Sequence, residues 1–270
     1  MDWVNIVSAY GVMGLLGAVF GIVLAIAGKK FAVKTDERVT AVRAVLGGAN
    51  CGACGFAGCD AFSEAVVRGD APVDGCPVVG SSGAASIASI MGVQAGPSSE
   101  KKAARVFCRG DCESAKARYV YEGLTSCAMA SSLAGGPKVC TSACLGLGDC
   151  IAACPFGAIS LENGIAKISS EKCTACGKCL EACPRQVIHL TPANDTVFVA
   201  CRNHDMGRDA RAACSKACIA CGRCVKACIA DAIKVENYCA VIDQEKCSRC
   251  GACARVCPSG CIRDMTGREA

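Results

Sequence analysis

The chain has 270 residues, of which 27 are cysteine, with a net charge of +5 and aromatic side chains at only 4%. Runs such as Cys173-x2-Cys176-x2-Cys179-x3-Cys183-Pro184 aim neighbouring thiols at one shared centre, which excludes the widely spaced pairing of a secreted disulfide scaffold. Few aromatics and 30 glycines leave little material for a large core, so inorganic cofactors are expected to supply much of the cohesion, and the modest charge gives no reason to expect a nucleic-acid partner.

Trp3 to Gly28 carry no charged side chain, and at about 1.5 Å per residue a helix of that length crosses a hydrocarbon layer of about 30 Å. Residues 1–30 are therefore read as a transmembrane anchor. Asp2 precedes the apolar run and Lys29, Lys30 and Lys34 follow it, an order opposite to that of a signal peptide. By the positive-inside rule the remainder is expected on the cytoplasmic side of the cell (inner) membrane, where thiols stay reduced. Gly14, Gly17 and Gly21 lie near one face of the helix and would admit a second membrane helix.

Residues 31–80 hold Cys51-x2-Cys54-x4-Cys59-x16-Cys76-Pro77, four thiols that make one complete site in a glycine-rich setting. Asp60 to Arg68 is expected to be helical, directly behind the third ligand. Residues 81–126 are expected as a linker with an additional cysteine motif, Gly80–Ser86 and Gly96–Ser99 being Gly/Ser-rich. Lys101, Lys102, Arg105, Arg109, Lys116 and Arg118 read as a solvated basic surface, a docking face for an acidic carrier being the alternative.

Beyond residue 126 the sequence repeats. Cys127, Cys140, Cys144, Cys150, Cys154, Cys173, Cys176, Cys179 and Cys183 recur 74 residues later as Cys201, Cys214, Cys218, Cys224, Cys228, Cys247, Cys250, Cys253 and Cys257. Residues 127–199 and 200–270 are thus expected as two tandem ferredoxin-like pairs. In that pattern the last cysteine of each run crosses to the other cluster. The second pair would use Cys218, Cys221, Cys224 and Cys257 for one [4Fe–4S] cluster and Cys228, Cys247, Cys250 and Cys253 for the other. In the first pair Cys154, Cys173, Cys176 and Cys179 form one set. Its partner set lacks a ligand because Leu147 stands opposite Cys221, and Cys140 is expected to substitute beside Cys144, Cys150 and Cys183. Cys108, Cys112 and Cys127 are three candidate ligands of a sixth cluster, with Cys201 or Cys214 as fourth; Cys239 and Cys261 read as buried inert thiols. The fold class expected is α+β: one membrane helix, a small four-cysteine iron–sulfur domain and two ferredoxin-like units. Structural zinc sites usually pair two short knuckles across a long spacer, so triple x2 spacing followed by x3-Cys-Pro favours clusters, five or six in number. His189 and His204 are not expected to ligate. No nucleotide or phosphate-loop fingerprint is present, so no catalytic residue is assigned and no complete site for NAD chemistry is expected on this chain.

The segment Gly47-Gly-Ala-Asn-Cys-Gly-Ala-Cys-Gly-Phe-Ala-Gly-Cys59, the Cys140 to Pro155 run with its Cys-Leu-Gly-Leu-Gly core, the N-terminal helix and the ferredoxin repeats together resemble the B subunit of the Rnf complex, in its longer form with two ferredoxin-like pairs. Ile229 departs from the pattern, where Pro usually follows the last cysteine of a run. The resemblance implies an electron-relay subunit of a membrane ion-translocating ferredoxin:NAD+ oxidoreductase, taking electrons from reduced ferredoxin and passing them to membrane partners, with flavin and NAD on other subunits. It also implies that the cluster of Cys51, Cys54, Cys59 and Cys76 lies nearest the membrane as the exit site. Alternatives are the iron–sulfur subunit of a membrane hydrogenase or formate dehydrogenase, or of a system that reduces a redox-sensing transcription factor.

Overall fold

The computed structural model describes residues 3–30, 36–94 and 100–266. Asp2, Lys34 and the Gly96–Ser99 segment lie outside them. Helix α1, Trp3–Lys30, contains a span from Tyr10 to Lys30 that is long and apolar enough to cross a membrane and is not buried against the rest of the chain. Its two terminal lysines complement the negative end of the helix dipole.

Three helices build the next unit: α2 (Glu37–Val45), α3 (Cys59–Arg68) and α4 (Gly80–Met91). The Asp36 carboxylate accepts from the Arg38 backbone N–H and starts α2, and Gly69 in the left-handed region stops α3. Val42, Phe62, Val66 and Ile87 meet in the core. The structure therefore differs from the expected linker. Gly80–Ser86 is the first half of a helix, because Ala84, Ile87 and Ala88 fall at helical spacing and bury one face, which outweighs the local Gly/Ser composition.

The remaining residues form two copies of one βαββαβ unit. In the first, β1 (Lys102–Val106) pairs antiparallel with β4 (Ile188–Pro192), and β2 (Ile159–Glu162) with β3 (Ile165–Ile168). In the second, β5 (Val197–Val199) pairs with β8 (Ile262–Asp264), and β6 (Ile233–Glu236) with β7 (Cys239–Ile242). Helix α5 (Cys127–Ser132) lies in the first copy and α8 (Gly207–Ala213) in the second. The first copy thus begins at β1, inside the stretch expected as linker, since β1 supplies the outer strand that β4 needs. Arg105 on β1 is buried, not part of a basic surface. Its guanidinium stacks 5.0 Å over the Phe198 ring of the second copy and donates to the Ala193 carbonyl at 2.9 Å, so it helps fasten one copy to the other.

Candidate metal centres

Each cysteine run closes around the same local device. One-turn helices α6 (Asp149–Ala152), α7 (Lys178–Glu181), α9 (Arg223–Lys226) and α10 (Ala252–Arg255) carry Cys150, Cys179, Cys224 and Cys253. Each is preceded by a glycine at positive φ: Gly148, Gly177, Gly222 and Gly251. That left-handed residue reverses the chain, so that a loop and a helix turn enclose one small volume.

The N-terminal unit places Cys51, Cys54, Cys59 and Cys76 around a cavity of about 350 Å³, counting the part open to solvent, which Phe62 floors. Asn50 fixes the entry to α3 by accepting the Cys59 N–H at 2.8 Å. Burial, and then the neighbouring Cys54 and Cys51, raise the Cys76 thiol pKa. Cys154, Cys173, Cys176 and Cys179 line a second cavity of about 320 Å³, and Cys218, Cys221, Cys224 and Cys257, with Cys261, a third of about 330 Å³. The three volumes, counted in the same way, are alike in size and each is ringed by at least four cysteines. Among the described residues no three Cys, His, Asp or Glu side chains converge on a single-ion site. Thiols spread around a volume, each free to meet a different corner, suit a cubane cluster. Backbone N–H groups point at the sulfurs, as from Ala104 to Cys173 at 3.3 Å and from Ala240 to Cys218 and Ala232 to Cys228 at 3.4 Å, a favourable setting for thiolate charge. Cys228, Cys247, Cys250 and Cys253 occupy the positions that match Cys154, Cys173, Cys176 and Cys179 in the other copy. Ile229 is 98% exposed, so the missing proline leaves no packing gap. His189 meets Phe107 and Arg202, and His204 the Asn237 carbonyl; these contacts hold them in the protein fabric.

The first copy corrects two expectations. Cys140 does not join Cys144, Cys150 and Cys183. It lines a different cavity with Cys108, Cys201 and Cys214. Cys127 is instead among the thiols near Cys150: burial first, then Cys144, Cys127, Cys183 and Cys179, push the Cys150 thiol up to about 12. Asp149 brings it there. Its carboxylate accepts from the backbone N–H groups of Cys127 and Ala128, both at 2.9 Å, and from the Ser126 hydroxyl at 3.0 Å. Burial opposes its ionisation, but these bonds hold its pKa below the ordinary carboxylate range. The loop of Gly146, with φ of 71°, and Gly148 keeps the backbone path of its counterpart Ala220 and Gly222, so only the ligand at Leu147 is replaced, from outside the run.

The second correction follows. Cys108, Cys112 and Cys127 do not share a centre. Cys108 lines the cavity of Cys140, Cys127 stands beside Cys150, and Cys112 is exposed against Gly164, where an added Cβ would collide with its sulfur. The 74-residue offset paired Cys127 with Cys201, whereas the strands pair Cys108 with Cys201. Phe107 N–H bonds the Val187 carbonyl as Ala200 N–H bonds that of Cys261. Cys144 N–H donates to Cys108 Sγ, and Cys218 N–H to Cys201 Sγ, both at 3.4 Å. An apolar strand followed two residues later by a cysteine, before each run, was the sequence signal.

Family models match along most of the cysteine-rich part of the chain. An Fe-S cluster model matches residues 46–78, 4Fe-4S dicluster domain models match 137–184 and 172–232, and a 4Fe-4S binding domain model matches 240–263. The chain is 52% identical over 253 residues to the B subunit of the Na(+)-translocating ferredoxin:NAD(+) oxidoreductase complex of Acetobacterium woodii, covering 93% of this chain and 76% of the relative. It is 44% identical to the B subunit of the proton-translocating ferredoxin:NAD(+) oxidoreductase complex of Clostridium ljungdahlii, covering 93% and 90%. The B subunit of the ion-translocating oxidoreductase complex of Methanosarcina acetivorans is 42% identical, covering 95% and 97%.

Proposed function

The chain belongs to the B-subunit family of ion-translocating oxidoreductase (Rnf) complexes, and on that premise we propose that it accepts single electrons from reduced ferredoxin and hands them to flavin- and NAD-binding and membrane partner subunits. The observation that carries this reading is the set of like-sized, cysteine-lined cavities in one chain that also holds a membrane-length helix. Bound there, [4Fe–4S] clusters supply reversible one-electron chemistry at low potential. The ligand sets are Cys51, Cys54, Cys59 and Cys76; Cys127, Cys144, Cys150 and Cys183; Cys154, Cys173, Cys176 and Cys179; Cys218, Cys221, Cys224 and Cys257; and Cys228, Cys247, Cys250 and Cys253. The protein's part is to exclude water with small apolar side chains, to aim N–H groups at the sulfurs, and to hold each set rigid so that little reorganises on reduction. The lysines at the end of α1 favour the cytoplasmic side for the soluble units.

The N-terminal set follows the helix most closely in sequence and is the proposed exit. Full-length chain purified anaerobically in detergent should bleach rapidly on mixing with reduced ferredoxin and stay oxidised with NADH alone, because a hydride needs a two-electron cofactor to be divided. Within the native assembly, Cys54→Ser should stop ferredoxin-dependent NAD+ reduction while the repeats remain reducible. Fast reduction of the isolated chain by NADH would overturn the relay reading.

A further inference from the structure

We infer that Cys108, Cys140, Cys201 and Cys214 hold a further [4Fe–4S] cluster at the seam between the two repeats, each repeat contributing two ligands. The inference rests on the relay reading above and adds a site to it. The four thiols line one cavity of about 300 Å³, close in size to the three single-set cavities. Cys140 and Cys214 are buried, at 6% and 7% exposure.

The seam is built symmetrically. Cys108 and Cys201 each follow the first strand of their copy and accept the N–H of the residue that opens the next cysteine run, as described above. Cys140 and Cys214 stand at matching positions, and one segment of the first copy laces them together: Lys116 N–H bonds the Ala213 carbonyl and its own carbonyl accepts from Val139, both at 2.9 Å. Ala115 bridges to Cys214 and Ala117 to Lys138 on the two sides of that segment. Ala143, Ala200 and Ala217 form the small part of the lining, beside the cationic Arg109, Arg202 and Lys216, and Gly110 leaves the room that a Cβ would take, 3.2 Å from Cys214 Sγ and 3.7 Å from Cys108 Sγ.

A separate observation asks for an anion here. Lys138 is 9% exposed, and its ammonium donates to the Gly110 carbonyl on the cavity wall at 2.9 Å. Among the described residues it makes no ion pair within 4.0 Å, and a buried ammonium balanced by one carbonyl alone is costly. Four thiolates around a cluster carry a net negative charge and supply the missing balance. Asp111, the acid next to Gly110 in the chain, is committed to Lys216 at 2.5 Å and to Ser114.

The test is iron and sulfide content, with EPR of the dithionite-reduced state, on the full-length chain and its serine variants. The wild type should hold about 24 iron atoms, six clusters at four each. Cys140→Ser and Cys214→Ser should each lower the count by about one sixth and remove the same EPR component, since they lie on two sides of one site. Cys112→Ser should keep the full count. A wild-type count near 20, or a loss from Cys140→Ser that Cys214→Ser does not reproduce, overturns the seam cluster and leaves the relay standing. Zinc in place of iron, or no iron at all, overturns both. Where a serine variant fails to assemble, the wild-type count decides alone.

Discussion

Cys261 lies with its sulfur 3.6 Å from Cys257 Sγ and is almost fully buried. Its counterpart in the first copy is Val187, which has no donor to offer. A thiol that donates to a ligand sulfur stabilises the more negative, reduced state, so Cys261, expected from the sequence to be inert, is proposed to tune the cluster beside it. Cys261→Val, which installs the residue of the other copy, should lower the midpoint potential of the Cys218 cluster in an EPR-monitored redox titration and leave the others in place; an unmoved midpoint would show that the thiol does not reach the ligand. Asp149 acts differently, through position. Asp149→Ala removes the acceptor of two N–H groups and one hydroxyl, a loss on the order of 2 kcal/mol where the acceptor is charged. The cluster that uses Cys127 should then be lost or converted to a three-iron form, while the Cys154 set keeps its iron, as EPR and iron counts would report.

Among the elements, α4 shows how composition can mislead. Its Gly80, Ser81, Ser82 and Gly83 read as loop, yet Ile87 is fully buried in the core that also holds Phe62. Ile87→Ala should cost about 2–5 kcal/mol of that unit's stability and loosen the Cys51 to Cys76 site, with the repeats unaffected; proteolysis of the N-terminal unit would monitor it. Spacing made the ferredoxin runs legible, because x2-x2-x3 loops set neighbouring thiols around one shared centre. The fold of the first copy was harder to read for a topological reason. Extra residues between β1 and Cys140 displaced Cys108 from the 74-residue register, while Cys127 fell on Cys201 by position alone. A constant offset records chain distance, and ligation follows space. Cys140 and Cys127 could be told apart only once Asp149 and the strand pairs had fixed where each thiol stands.

At the scale of the whole molecule, the apolar helix and the cysteine-rich body are separable in sequence. A chain lacking residues 1–30 should retain its iron and move from the membrane fraction to the soluble one, which fractionation and iron analysis would check together. The seam between the repeats has a different bearing, on how the protein is made. Cys108 and Cys140 leave the ribosome well ahead of Cys201 and Cys214. Until the second repeat is finished and docked, the first presents two unpaired thiols flanking a half-built socket beside the Lys138 cation. The seam cluster can therefore be inserted only once Cys214 has emerged, after the ligands of the sets that lie wholly within the first repeat. A message truncated between residues 183 and 201 should leave the first repeat's clusters in place and this centre unfilled, so that its EPR component reports whether the second repeat has joined the first.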